Sequence, residues 1–264
     1  MSTEPAKRDQ GIVDHTYPPI VSLARASFVG LRLAMDITGS ENIPLEGGAV
    51  LASNHIGFMD FTFIGAAAHE RNRLVRFMCK REIFDNPIAG PIMRSMHHIS
   101  VDRESGSASF AQSLRMLKAG ELVGIFPEGT ISRSFESIEY RAGATALAAA
   151  AKVPLLPIAI WGSQRVWTKS RNKGLSFRTI PLLVSVGEPM YFERRQDHAE
   201  ATEAVRTRIT EMVHELQDRY PDEPRAASDS WWQPARLGGS APTPAEAAEI
   251  EAERRQRKEL KQQG

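Results

Sequence analysis

One cysteine, Cys79, stands in the whole chain of 264 residues, so no internal disulfide can form and a reducing compartment is the expected setting. Long apolar runs are missing too. The longest stretch without Asp, Glu, Lys or Arg is Gly47 to Met59, well short of the ~18 apolar residues that a spanning helix needs. The first residues, "MSTEPAKRDQGIVDHTYPP", hold no apolar core of a secretory signal. Together these absences predict a protein that is soluble or attached to a membrane surface, at the inner, cytoplasmic face.

Charge imbalance is also lacking. A formal net charge of +1 gives no global argument for nucleic acid as a partner. No G-x-S-x-G elbow, P-loop or dinucleotide fingerprint occurs, so serine-hydrolase and nucleotide chemistry have no support. His69–Glu70 lacks a second histidine at metalloprotease spacing, and the adjacent His97 and His98 would face opposite ways on a strand. Neither a metal nor a cofactor is expected.

What is present is alternation. "AVLAS" (49–53), "HISV" (98–101), "LVGIF" (122–126), "LLPIAI" (155–160) and "PLLVSVG" (181–187) read as strands, mostly continuous apolar runs of the kind found in a sheet covered on both faces. Residues 61–69, 86–96, 107–119, 142–151 and 199–219 read as helices. The fold class predicted is α/β, with a mixed, largely buried sheet flanked by helices. Its core domain is expected over 37–220, after a flexible 1–17 and an amphipathic helix over 18–36 that either docks on the domain or lies in a membrane interface. Residues 221–264 read as linker and exposed tail helix. That helix opens with the capping box of Thr243 and Glu246, has no apolar stripe, and is expected to carry no chemistry. Trp231 and Trp232, in the linker, are expected to pack against the domain, the alternative being an anchor at a lipid interface.

Three stretches can carry chemistry. In "NHIGFMD", His55 and Asp60 lie five apart between a strand and a helix, where α/β folds place their sites. On one continuous helix such residues point about 140° apart; a bend at Gly57 would let a carboxylate orient the imidazole as a general base. The alternative is that Asp60 merely caps its helix. The same spacing recurs in His97 and Asp102, but four extended residues would separate that pair by over ~10 Å. Arg103, next in "SVDR", can bind an anion at a strand end. In "FPEGTISRS", Gly129 permits close backbone approach, while Glu128, Thr130, Ser132 and Arg133 suit hydroxyls and phosphate; an ordinary polar turn is the other reading. Two basic clusters, "RNRLVRFMCKR" and "RVWTKSRNK", are either solvated surface or contacts for anionic headgroups or coenzyme A.

In this order and spacing, "NHIGFMD", "SVDR", "FPEGT" and "VPLLPIAI" resemble the four sequence blocks of the glycerolipid acyltransferase family, from about residue 45 to about residue 190. The resemblance implies transfer of a fatty acyl group from an acyl-thioester, acyl-CoA or acyl carrier protein, to the hydroxyl of 1-acyl-sn-glycerol 3-phosphate, giving phosphatidic acid. It implies His55 as general base and Asp60 as its orienting carboxylate. Arg103, Glu128, Gly129, Thr130, Ser132 and Arg133 would bind the acceptor's phosphate and glycerol, and Arg141 and Gly143 match a further basic-then-glycine feature. One departure stands out: Ile131 occupies the place where the family's third block often has arginine. The alternatives are an enzyme acting on glycerol 3-phosphate or another lysolipid and, from another class, a non-catalytic lipid-binding module.

Overall fold

The computed structural model describes residues 16–102, 106–169 and 179–263. Helix α1 (Tyr17–Gly30) leads into strand β1 (Leu33–Thr38), and β2 (Ala49–Ser53) into α2 (Asp60–His69). β3 (Val75–Lys80) is followed by two short helices, α3 (Arg81–Phe84) and α4 (Ala89–Ser95), then β4 (Ile99–Val101), α5 (Gly106–Lys118) and β5 (Leu122–Ile125). The chain closes with α6 (Gly143–Ala151), β6 (Leu155–Trp161), β7 (Ile180–Val186), α7 (His198–Asp218) and α8 (Pro244–Gln263).

The seven strands form one sheet in the order β1-β7-β6-β2-β5-β3-β4. Every neighbouring pair is parallel except β6–β7, so the sheet is mixed, as expected. β2, β5 and β6 are buried along their whole length, which is why they read as unbroken apolar runs. One core layer packs α6 and α7 on the sheet through Leu147, Val205, Ile209 and Met212. The other packs α1 and α2 through Phe28, Phe63 and Ile64.

Three expectations are corrected. The N-terminal helix was expected to reach residue 36; it ends at Gly30, Arg32 takes a left-handed turn (φ 54°), and residues 33–38 form an edge strand instead. One face of that helix docks on the domain: Tyr17 and Phe28 are buried, and Tyr17 Oη donates to the carbonyl of Val75 at 2.7 Å, while Leu23 and Val29 are exposed. Secondly, "VRFMCK" is strand β3, and of the basic residues in the cluster around it only Lys80 and Arg81 are exposed. Arg76 is buried, with Nε 3.0 Å from Glu121, while Arg73 donates to the carbonyls of Pro44, Gly47 and Gly120. These cations close the fold. Thirdly, the linker part of 221–264 packs on the domain, while α8 forms as a mostly exposed helix, as expected, pinned at one point. Trp232 is buried under the guanidinium of Arg165 (4.5 Å), and Ala247 on α8 is buried too. The capping box does form, with the N–H of Thr243 2.8 Å from Glu246 Oε2 and that of Glu246 3.3 Å from Thr243 Oγ1.

Candidate active site

β6, β2, β5, β3 and β4 run parallel as neighbours, so their carboxyl ends open on one edge, where α/β sheets bind ligands. β2 lies inside this set. The loop after it carries His55, the loop after β5 carries "FPEGT", and the loop after β6 carries Lys169.

These three loops are fastened to one another. Asn54 continues the ladder beyond β2: its Oδ1 accepts the N–H of Ile160 at 2.8 Å and its Nδ2 donates to that residue's carbonyl at 3.0 Å. The backbone of His55 is held at both ends by the FPEGT segment. Its N–H donates to Glu128 Oε1 (3.3 Å), and its carbonyl accepts the N–H of Ser132 (2.7 Å). From the β6 loop, Thr168 Oγ1 donates to the carbonyl of Ile56 (2.6 Å), and the N–H of Phe58 donates to the carbonyl of Trp167 (2.9 Å). A side chain clamped this way loses little further freedom when substrate arrives.

The His55–Asp60 pair forms. His55 Nδ1 is 2.9 Å from Asp60 Oδ2, an oxygen that also accepts the N–H groups of Ile56 (2.8 Å) and Gly57 (2.9 Å). Asp60 therefore turns back into the loop and does not cap its own helix. Gly57 is needed for the closeness of this turn: a Cβ there would lie 3.0 Å from Ser163 and 3.1 Å from Asp60 Oδ1. With Nδ1 donating to the carboxylate, Nε2 carries the lone pair. The ring stacks on Phe126 with centroids 4.0 Å apart. The second copy does not form. Asp102 accepts from Arg81 (3.0 Å), His97 sits in a left-handed turn, and no hydrogen bond or ion pair joins the two.

His55 stands in the wall of a cavity of about 460 Å³. Most of the wall is apolar, from Phe61, Phe77, Met78, Phe110 and Leu147 among others; Gly129, Thr130, Arg141 and Lys169 supply polar edge. Gly129 is left-handed (φ 65°), and a Cβ on it would lie 3.6 Å from the Arg141 guanidinium. Cys79 also lines the cavity, and burial pushes its thiol up to about 12. It stays protonated and a poor nucleophile, so Cys79→Ala should keep turnover within about threefold; a loss of 10²-fold would put the sulfur into the chemistry.

The predicted acceptor residues divide. Gly129 and Thr130 line the cavity; Glu128, Ser132 and Arg133 do not. Ser132 holds its own turn, donating to the carbonyl of Glu136 (2.7 Å), and the Arg133 guanidinium is held by Glu251 at 2.7 Å. Arg103 lies outside the described residues. Glu128 supports His55 from behind, and desolvation, with the nearby charge of Asp60 adding to it, holds its carboxyl well above the usual range. Being raised, this group contributes stability that is whole below the ordinary carboxylate pKa and is lost as pH rises toward its folded value. Glu128→Gln keeps the acceptor for His55 N–H without the proton. It should leave activity within a few-fold and flatten the alkaline fall in melting temperature; equal pH slopes in both proteins would contradict a neutral Glu128.

Sequence reasoning missed Asn54, Lys169 and Glu251. Asn54 immediately before His55 was a readable signal, since an amide can imitate a backbone pair at a strand end. Lys169 lay inside a basic cluster for which surface and anion contact were both open, with nothing to single it out from its neighbours.

Comparison with known proteins identifies the family. Residues 34–161 match the family model described as Acyltransferase. A 1-acyl-sn-glycerol-3-phosphate acyltransferase of Bacillus subtilis is 32% identical over 195 residues, 71% of this chain and 92% of that one. The chain belongs to the glycerolipid acyltransferase family. It is an O-acyltransferase by that membership, which removes the non-catalytic module as a reading. A protein of the same description from Borreliella burgdorferi is 26% identical over 58% of this chain and 66% of its own. The crystal structure of the 1-acyl-sn-glycerophosphate acyltransferase PlsC of Thermotoga maritima superposes with a TM-score of 0.64 at 22% identity, over 78% of this chain and 81% of that one. That likeness establishes the fold.

Proposed function

We propose that this acyltransferase moves a fatty acyl group from an acyl-thioester to the free hydroxyl of 1-acyl-sn-glycerol 3-phosphate, giving phosphatidic acid. The observation that carries the reading is the position of the His55–Asp60 pair in the wall of a largely apolar cavity that Arg141 and Lys169 also line. The acceptor hydroxyl lies against His55 Nε2, which takes its proton as the oxygen attacks the thioester carbonyl. The tetrahedral intermediate collapses with cleavage of the C–S bond, and the departing thiolate receives the proton from the imidazolium. Asp60 stabilises that imidazolium. The reading requires no covalent acyl-enzyme, metal or cofactor.

The apolar wall suits an acyl chain, and Arg141, exposed and without an ion pair among the described residues, suits an anionic headgroup or the phosphates of coenzyme A. Ile83 in the cavity wall, with Ile88 and Ile92 beside it in the chain, gives exposed apolar surface from which a lipid could enter. No helix among the described residues is long and apolar enough to cross a membrane, so the reading is peripheral attachment. Either acyl-CoA or acyl carrier protein can serve as donor, and Arg103 remains a proposed anion contact. An assay of the purified protein with labelled acyl-CoA and a panel of acceptors, product positions being assigned, tests it. Phosphatidic acid should dominate; transfer only to glycerol 3-phosphate or only to an unphosphorylated lysolipid would overturn the acceptor.

A further inference from the structure

The family pattern leaves an open question in this chain: which cation recognises the acceptor's phosphate, if the arginine of the third block is replaced by Ile131? Ile131 is buried in the cavity wall and can bind no anion. Arg133, two residues on, has a side chain that is only 3% exposed, lies outside the cavity wall, and binds the carboxylate of Glu251 through Nε. Neither supplies the missing charge to the cavity.

Lys169 does reach it. The loop after β6 brings this side chain into the cavity wall, with Nζ 2.6 Å from Thr130 Oγ1, so an ammonium stands beside the FPEGT segment although it comes from elsewhere in the chain. Its second contact is Glu251 Oε1 at 2.7 Å, the same oxygen that Arg133 uses. An ammonium has three N–H donors; among the described residues two are engaged, and one is left for a ligand.

We propose that Lys169 is the residue that recognises the acceptor's phosphate here, and that Glu251 of the C-terminal helix positions it. The inference rests on the acyl-transfer reading above and names the contact that gives that site its preference for a phosphorylated acceptor. It also gives α8 a role that its sequence did not announce: its docking delivers the carboxylate that holds the ammonium against Thr130. Burial supports the assignment, because desolvation pulls the Lys169 pKa down, and an ammonium poorly solvated in this way gains when a phosphate enters beside it.

The test uses the full chain in mixed micelles, with lysophosphatidic acid and a monoacylglycerol of the same acyl chain as acceptors and acyl-CoA as donor. Wild-type transfer to lysophosphatidic acid is measured first; its failure would remove the parent reading and would be seen before any variant is made. Lys169→Met should raise KM for lysophosphatidic acid ten- to a hundredfold. Its kcat, its KM for acyl-CoA and its use of monoacylglycerol should stay within about threefold. Lys169→Arg should regain part of the affinity by restoring charge. Lys169→Gln, which keeps a donor for Thr130, should behave as Lys169→Met does. Glu251→Gln should raise the same KM three- to tenfold, and Arg133→Met/Glu251→Gln should do likewise without leaving a buried charge orphaned. An unchanged KM in Lys169→Met would overturn the phosphate assignment, and equal losses on both acceptors would make Lys169 structural. A fall in KM on Glu251→Gln would overturn the positioning role, because it would mean that the carboxylate competes with the phosphate.

Discussion

His55→Ala should lower turnover by at least ~10²-fold, the scale of general-base catalysis, in a protein that stays folded. The expectation of folding rests on the neighbours the ring leaves behind. Asp60 Oδ2 keeps the N–H groups of Ile56 and Gly57 as donors, so the buried carboxylate is not stranded. The backbone of residue 55 remains held by Glu128 and by the N–H of Ser132. What disappears is the imidazole, its bond to Asp60 and its stack on Phe126. Single-turnover rates with acyl-CoA and lysophosphatidic acid, together with circular dichroism and a melting curve, read the two effects apart. His97→Ala is the matched control and should stay within a few-fold, since that histidine has no carboxylate partner among the described residues. Near-normal turnover by folded His55→Ala would remove the residue from the chemistry.

How far the chain can be read without coordinates depends on where charge falls within the strands. β2, β5 and β6 are covered on both faces and were legible as apolar runs. Residues 33–36 of β1 continue the apolar text of the helix before them, and the charge of Asp36 does not mark a buried strand. As an edge strand of alternating burial it tolerates that aspartate, which meets Arg219 at 2.8 Å. β3 was hidden by Arg76, whose burial depends on Glu121 and the carbonyl of Met96, far along the chain. A charge in a strand reads as surface until its partner is known.

The site divides along the same line. The His55–Asp60 spacing was legible because a bend at Gly57 is a local property, and the choice between two such pairs followed from the extended residues between His97 and Asp102. Glu128, Ser132 and Arg133 stand in the right motif, yet their side chains turn away from the cavity and hold the loops. Motif membership does not tell which way a side chain points. Lys169 and Glu251 were out of reach for a different reason. They meet across 82 residues of chain, and only the docking of α8 brings them together.

Asp60→Asn separates the two tasks that the proposed mechanism gives Asp60, charge and shape. One oxygen, Oδ2, receives three donors: His55 Nδ1–H and the N–H groups of Ile56 and Gly57. An asparagine has one oxygen to offer, and two backbone donors exclude its NH2 group from that place. The loop that fixes them is itself held by Thr168 on the carbonyl of Ile56. The amide oxygen therefore takes the Oδ2 position, and the imidazole keeps its orientation and tautomer. Only the negative charge goes, and with it the stabilisation of the imidazolium that forms as the acceptor loses its proton. This interaction exists chiefly in the transition state, so kcat and kcat/KM should fall together, by ~10²-fold or more, while KM for both substrates holds. Melting temperature should drop modestly, because three charge-assisted hydrogen bonds become neutral ones. Asp60→Ala differs in kind: it strands the buried N–H groups of Ile56 and Gly57, each worth ~1–3 kcal/mol when left unpaired, and its lost activity would report a collapsed loop. If folded Asp60→Asn turned over normally, with only its stability reduced, Asp60 would be the organiser of the loop and His55 would act without it.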